Sequence, residues 1–317
     1  MKFRSVFSAL IERFIEYRKA SGSWNEMTYG ANIRYFDRFC ADNFPEETVL
    51  TQAMVDAWCA KRSTEKNASN LSRTQVVNLF VDYLRQRKLT DVLPAPRLKP
   101  EPHKYLPHAF EEDELMRFFQ ACDQLQVHPS LKLVIKKLTV PVFFRLLYAT
   151  GMRPVEARML KREDVDLARG VINIQKSKGY DQRYVVMHDT MASLMTRYNK
   201  AIAELQPFRE YFFHSIKGGH YSSSWVSLNF RILWQQANGT TGQAVAKDLR
   251  HHYAVENINS WTDDCFGLTS KLQYLSQSMG HRHSKSSLYY YTLVPRLSAT
   301  LREKTETGFN IIVPEAT

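Results

Sequence analysis

Thr150-Gly151-Met152-Arg153-Pro154-Val155-Glu156-Ala157 compresses the end of one helix and the start of the next. Gly151 stops the first, and Pro154, at a first helical position, opens the second. Arg153 and Glu156 stand three apart, so they share a face and can pair, which would hold the guanidinium in a fixed orientation. An isolated R-x-x-E is ordinarily a surface ion pair, so its neighbours along the chain decide what it means.

Before it lies an apolar helical run from Val140 to Ala149. After it, GVINIQKSKGYDQRYVVMH (residues 170–188) carries the one clear strand signal. Val171, Ile172 and Ile174 lead into a polar turn around Lys178-Gly179-Tyr180-Asp181, and Tyr184-Val185-Val186-Met187 lead out, which predicts a β-hairpin. Phe110 to Phe119 predicts a helix with Glu111, Glu112, Asp113 and Glu114 in its first turn, where the macrodipole favours acids. Further helices are expected at Ser223–Ala237, Lys247–Ile258, Lys271–Met279 and Ser284–Tyr291.

The first 90 or so residues read differently. Val6, Phe7, Leu10, Ile11, Phe14 and Ile15 form one helical stripe. Similar runs follow at Tyr29–Phe39 and Thr74–Leu84, with a shorter one at Ala53–Cys59 after Thr51, an expected N-cap. Between Asp91 and His108 the prolines at 94, 96, 100, 102 and 107 forbid helix and favour an extended path. The expected organisation is mainly α: an all-helical domain over residues 1–92, a Pro-rich linker over 93–107, a mostly helical domain with a small β-hairpin over 108–300, and a tail over 301–317.

The chain has 317 residues, 44% of them hydrophobic, enough for two ordinary cores. Its 43 basic residues against 32 acidic ones give a net charge of +11, which suits a polyanionic partner such as nucleic acid or an acidic membrane surface, and on charge alone equally a basic surface kept for solubility. Cys40, Cys59, Cys122 and Cys265 form no C-x-x-C pair, so neither a zinc site nor a disulfide framework is indicated. Glu12, Arg13 and Glu16 interrupt the first apolar run, and no later stretch approaches a membrane span. A soluble cytoplasmic protein, with no membrane partner, is expected.

Three further segments carry polar residues in unusual company. Lys176 and Lys178 flank Ser177 at the hairpin tip. Lys247-Asp248-Leu249-Arg250-His251-His252 sets two basic residues at i and i+3 near a helix start, where they oppose the dipole and invite an external anion. Gly280-His281 is followed by Tyr289-Tyr290-Tyr291. Each alone has an ordinary structural explanation.

Their order is what resembles a known family, the tyrosine recombinases or phage-type integrases. That family runs T-G-x-R-x-x-E, a hairpin lysine, H-x-L-R-H, G-H, and a tyrosine nine residues past that His. By position, the resemblance implies that Arg153 and Arg250 are the paired arginines, Glu156 their acidic partner, His281 the histidine, Lys178 the hairpin lysine, and Tyr290 the nucleophile. Lys178 is preferred to Lys176 because Ser177-Lys178-Gly179 and Arg183-Tyr184-Val185-Val186 align with G-K-G followed by R-x-V. Lys247 replaces the usual first histidine; while protonated it donates to a phosphate but accepts no proton.

The chemistry suits these residues. Attack of a hydroxyl on a phosphodiester passes through a phosphorane with added negative charge, and each preorganised donor there is worth about 2.7 to 4 kcal/mol. A tyrosine with pKa about 10 must be placed in line and relieved of its proton; His281 and Lys247 are expected to line that region. Lys178 is the expected general acid for the departing 5′ oxygen. A covalent 3′-phosphotyrosine conserves the bond energy, so no cofactor and no metal are expected.

The resemblance further implies a core-binding role for the first domain, a double-stranded DNA recombination site as partner, a homotetramer exchanging strands through a Holliday junction, and accessory recombinases or a directionality factor. Integration, excision or transposition of a mobile element is the expected task. Because the first helix starts almost at Met1, no extra arm-binding domain is expected. The tail, with Phe309-Asn310-Ile311-Ile312-Val313, is expected to dock on a neighbouring protomer. Two rivals are a type IB topoisomerase, disfavoured by the G-H to Tyr spacing and the small first domain, and a catalytically impaired DNA-binding regulator, suggested by Lys247.

Overall fold

The computed structural model describes residues 3–99, 106–126, 129–175, 182–239, 244–260 and 268–281. The chain divides into two compact units, Met1–Tyr105 and Leu106–Thr317.

The first unit is helical: α1 Ser8–Ala20, a π-turn at Glu26–Gly30, α2 Ala31–Asn43, α3 Gln52–Cys59 and α4 Asn67–Gln86. Thr51 caps α3, its hydroxyl accepting from the Met54 amide at 3.4 Å. Ile11, Phe14, Ile33, Phe36, Val76, Val77 and Phe80 build its core. Helix α4 starts seven residues earlier than its apolar pattern suggests. Its first turns carry Asn70 and Arg73, both buried; they hold the loop before the helix instead of joining the apolar stripe. The proline-rich stretch lies along this unit over its first half: the Ala95 amide and carbonyl pair with the Asn78 side chain at 2.9 Å each, and the Leu93 amide donates to Gln52 Oε1 at 2.9 Å.

The second unit contains α5 Glu112–Asp123, α6 Leu131–Thr150, α7 Pro154–Arg158, a 3₁₀ turn at Arg162–Asp164, strands β1 Val165–Asp166, β2 Val171–Ile174 and β3 Arg183–Val186, then α8 Asp189–Leu205, α9 Ser223–Asn238, α10 Asp248–Asn259 and α11 Leu268–Met279. The strands form an antiparallel sheet in the order β1-β2-β3, with Ile172 opposite Val185 and Ile174 opposite Arg183. The hairpin thus has a third strand, Val165–Asp166, too short to leave a sequence signal.

Helix α6 also runs further back than the apolar run from Val140 suggests, passing through Pro141. A proline there removes one helical hydrogen bond, but Ile135, Val140, Phe143, Phe144 and Leu147 bury this helix on several sides, and packing outweighs that loss. Around it stand α5, α8 and α10. Helix α8 was not anticipated, although Met191, Met195, Tyr198 and Ile202 bury one face of it. Among the described residues no helix is long and apolar enough to cross a membrane. Cys40, Cys59 and Cys122 are buried free thiols, pushed up to about 12, 11 and 12 by burial. The expected helix at Ser284–Tyr291, the tail and Cys265 lie outside the described residues.

Candidate active site

Two helix ends supply the acceptors around which the site is built. Helix α6 stops at Gly151, whose φ is +61° and whose amide reaches back to Leu147 O at 3.1 Å. A Cβ here would run into the Tyr253 ring, so this position needs glycine for both conformation and space. Helix α11 stops at Gly280, φ +62°. The Gly280 amide donates to Gln277 O and the His281 amide to Ser276 O, both at 2.9 Å, the paired bonds of a Schellman ending. The last carbonyls of a helix lack intrahelical donors and form the negative end of its dipole.

Three arginines fill those vacant acceptors. From α10, the buried Arg250 donates through Nη1 to Gly151 O and through Nη2 to Met279 O, both at 2.6 Å. Its Nη2 also lies 2.9 Å from His281 Nε2. A guanidinium only donates, so Nε2 accepts and the neutral imidazole carries its proton on Nδ1. His281 is held at a pKa of about 3, first by burial and then by the charges of Arg250, Arg153 and Arg183 and by His251.

Arg153 immediately precedes Pro154, which keeps it out of the helix in an extended conformation, φ −69° and ψ 142°. It therefore caps α7. Glu156 reaches back to the Arg153 amide at 2.9 Å and pairs with its Nη1 at 2.8 Å, while Nη2 donates to Gly280 O at 2.9 Å. The i,i+3 pair expected from sequence is present, but it is largely enclosed: the Glu156 side chain is 1% exposed.

The third arginine is Arg183, at the start of β3. Its Nη1 and Nη2 clasp both oxygens of Glu156 at 3.0 and 2.7 Å, and its Nε donates to Ser278 O at 3.0 Å. In the sequence, Arg183 serves only to align the R-x-V pattern that favours Lys178 over Lys176; nothing there shows that it pairs with a carboxylate 27 residues earlier. The R-x-V pattern after the hairpin was the available signal.

Arg153, Glu156, Arg250 and His281 thus come together. Lys247 keeps helical backbone, φ −66° and ψ −27°, one turn before Arg250, whose amide donates to Lys247 O at 3.1 Å, as the i,i+3 spacing suggested. It is the N-cap residue of α10 and exposed, whereas the helix begins at the buried Asp248, whose Oδ2 accepts from the Val245 amide at 3.0 Å. An acid at the first helical position suits the dipole. Lys247 still acts electrostatically: His251 is lowered to about 4, mostly by burial, then by Lys247 and Arg250. Lys178 and Tyr290 lie outside the described residues, as do Tyr289 and Tyr291.

Among the described contacts, two guanidinium groups on Glu156 and a third on the adjoining helix ends make a net positive group in a partly buried setting, a condition that favours an anion. Residues 108–295 match the model of the phage integrase family, and the chain belongs to that family. It is a tyrosine site-specific recombinase. Among its relatives, a putative integrase/recombinase, y4rE, of Sinorhizobium fredii is 27% identical over 300 residues, covering 92% of this chain and 93% of the relative. The fold is shared with the site-specific recombinase XerH in a pre-cleavage complex with its difH substrate, at TM-score 0.62 and 18% identity over 93% of this chain and 83% of that one. It is shared too with a lambda integrase tetramer bound to a Holliday junction, at TM-score 0.58 and 16% identity over 89% and 76%.

Proposed function

We propose that this recombinase cuts and rejoins duplex DNA through a covalent 3′-phosphotyrosine, as a homotetramer that passes through a Holliday junction, in the integration, excision or transposition of a mobile element. The observation that carries the reading is the convergence of Arg153, Arg183 and Arg250 on one carboxylate and two helix ends, an arrangement with net positive charge suited to a phosphorane.

In this reading Arg153 and Arg250 clamp the non-bridging oxygens of the scissile phosphate. The Tyr290 oxygen attacks phosphorus; the P–O(Tyr) bond forms as the P–O5′ bond breaks. The phenolic proton passes to water, and Lys178 gives a proton to the departing 5′ oxygen. Attack by a 5′ hydroxyl of another strand reverses these bond changes and releases the tyrosine. His281, held near a pKa of about 3 with Nε2 engaged by Arg250, is a poor proton acceptor at neutral pH. Its task is to orient Arg250. Residues 1–92 supply the core-binding contacts to DNA, residues 93–107 connect them to the catalytic domain at 108–300, and the tail at 301–317 docks on a neighbouring protomer.

The test is a pool of nicked duplexes of random sequence, from which DNA covalently attached to the protein is recovered and sequenced. Tyr290→Phe is expected to abolish the adduct, while Tyr289→Phe and Tyr291→Phe retain it. An adduct surviving in Tyr290→Phe would move the nucleophile to another residue. No adduct from any duplex would favour a binding-only regulator, and relaxation of a supercoiled plasmid without strand exchange would favour a topoisomerase.

A further inference from the structure

Arg183 is the cationic group of the cluster to which the reaction above assigns no contact with DNA. It is also tied on three sides. Its side chain is 9% exposed, its fork takes both oxygens of Glu156, and its Nε takes Ser278 O. Gly280 makes room for it: a Cβ there would lie 2.7 Å from Arg183 Nη1. One side chain therefore ties β3, α7 and the end of α11, and the end of α11 is what receives Arg153 Nη2 through Gly280 O.

The charge balance gives this tie a consequence. Arg153 with Glu156 alone is a neutral pair, whose attraction for a phosphate is largely cancelled within the pair. A second guanidinium on the same carboxylate makes the trio net positive and divides the carboxylate's pull between two partners. Each Glu156 oxygen receives one donor from Arg153 and one from Arg183: Oε1 from the two Nη1 groups at 2.8 and 3.0 Å, Oε2 from the Arg153 amide and Arg183 Nη2 at 2.9 and 2.7 Å.

We propose that Arg183 is a positioning residue for Arg153: by clasping Glu156 and the end of α11, it keeps the Arg153 guanidinium oriented and its charge available to the scissile phosphate. This rests on the reading of Arg153 as a phosphate clamp, and the experiment separates the two. The probe is the nicked duplex recovered from the adduct selection, made with an ordinary scissile phosphate and with a methylphosphonate there, each diastereomer separately. The methyl group removes the negative charge that Arg153 would meet. Covalent adduct is measured with wild type, Arg153→Ala, Arg183→Gln and Arg183→Lys. The ratio between linkages is taken within each preparation, so that a smaller folded fraction cancels.

Arg183→Gln is expected to lose about 10²-fold in adduct formation on the phosphodiester and to recover to within about tenfold of wild type on the same diastereomer that rescues Arg153→Ala. Arg183→Lys, which keeps the charge but not the fork, is expected to fall between. If Arg153→Ala is rescued while Arg183→Gln loses equally on both linkages, Arg183 is only a structural tie and the proposal is overturned. If neither diastereomer rescues Arg153→Ala, the clamp reading fails and the positioning role falls with it.

Discussion

Each unit holds a buried arginine network made of the same parts, and the two differ in charge. In the first unit, Arg73 clasps Glu65 through Nε and Nη2 at 2.9 and 2.8 Å. It also donates to the Trp58 and Ala60 carbonyls at the end of α3. Its guanidinium lies 5.2 Å from the Trp58 ring centroid. One arginine meets one carboxylate, and the remaining donors cap a helix. In the second unit, helix-end carbonyls again receive guanidinium groups, but here two arginines share Glu156 while a third, Arg250, donates to backbone and to a neutral histidine. A one-to-one network closes on itself and stabilises a loop. Among the described contacts the second network sets three guanidinium groups against one carboxylate, a net positive balance that favours an additional anion.

The sharpest way to break this contrast is the same substitution in both networks. Lysine keeps the charge and loses the fork. Arg250→Lys is expected to lower adduct formation by about 10² to 10³-fold, the equivalent of about 2.7 to 4 kcal/mol for one preorganised donor. Arg73→Lys is expected to destabilise its unit by about 1 to 3 kcal/mol through unsatisfied buried partners, leaving cleavage per bound molecule within about threefold. Denaturant unfolding and single-turnover cleavage measure the two effects. Equal losses of cleavage in both variants would erase the distinction between a closed network and an open one.

Gly280→Ala probes the backing of the open network with a smaller effect. The left-handed backbone at φ +62° costs about 1 to 3 kcal/mol for a side chain, and the new methyl group would displace the Arg183 guanidinium. Thermal unfolding is expected to report the loss of stability, with cleavage falling by about tenfold. Unchanged cleavage would mean that the end of α11 tolerates displacement of Arg183.

How much of this was legible in the sequence follows from whether the relevant contacts are local. Arg153 with Glu156, and Thr51 as a cap, sit within one turn and were readable. So was the hairpin, because its alternation and turn chemistry are adjacent. Arg183 with Glu156 joins β3 to α7, and only the folded chain makes it visible. The early start of α4 was hidden because Asn70 and Arg73 are buried as polar residues, which reads as loop. The start of α10 was readable to within one residue, with Lys247 at its N-cap and Asp248 at its first helical position. Helix α8 does carry a legible stripe in Met191, Met195, Tyr198 and Ile202.

Acid distinguishes the two networks most gradually. His281 and His251, ordinarily near 6.5, are held at about 3 and about 4 in the folded chain, chiefly by burial. The unfolded chain therefore takes up these protons first as pH falls. The stability they contribute is complete above about 6.5 and declines toward about 3. Glu65 is lowered from 4.5 to about 2, first by its hydrogen bonds from Arg73. Its contribution is complete above about 4.5 and declines toward about 2. On acidification, amide protection in α10, corrected for intrinsic exchange rates, is expected to weaken between pH 6.5 and 4.5, while that of α4 holds until below 4.5. If α4 loosens first, burial among surplus positive charge is not what makes the open network the more acid-sensitive one.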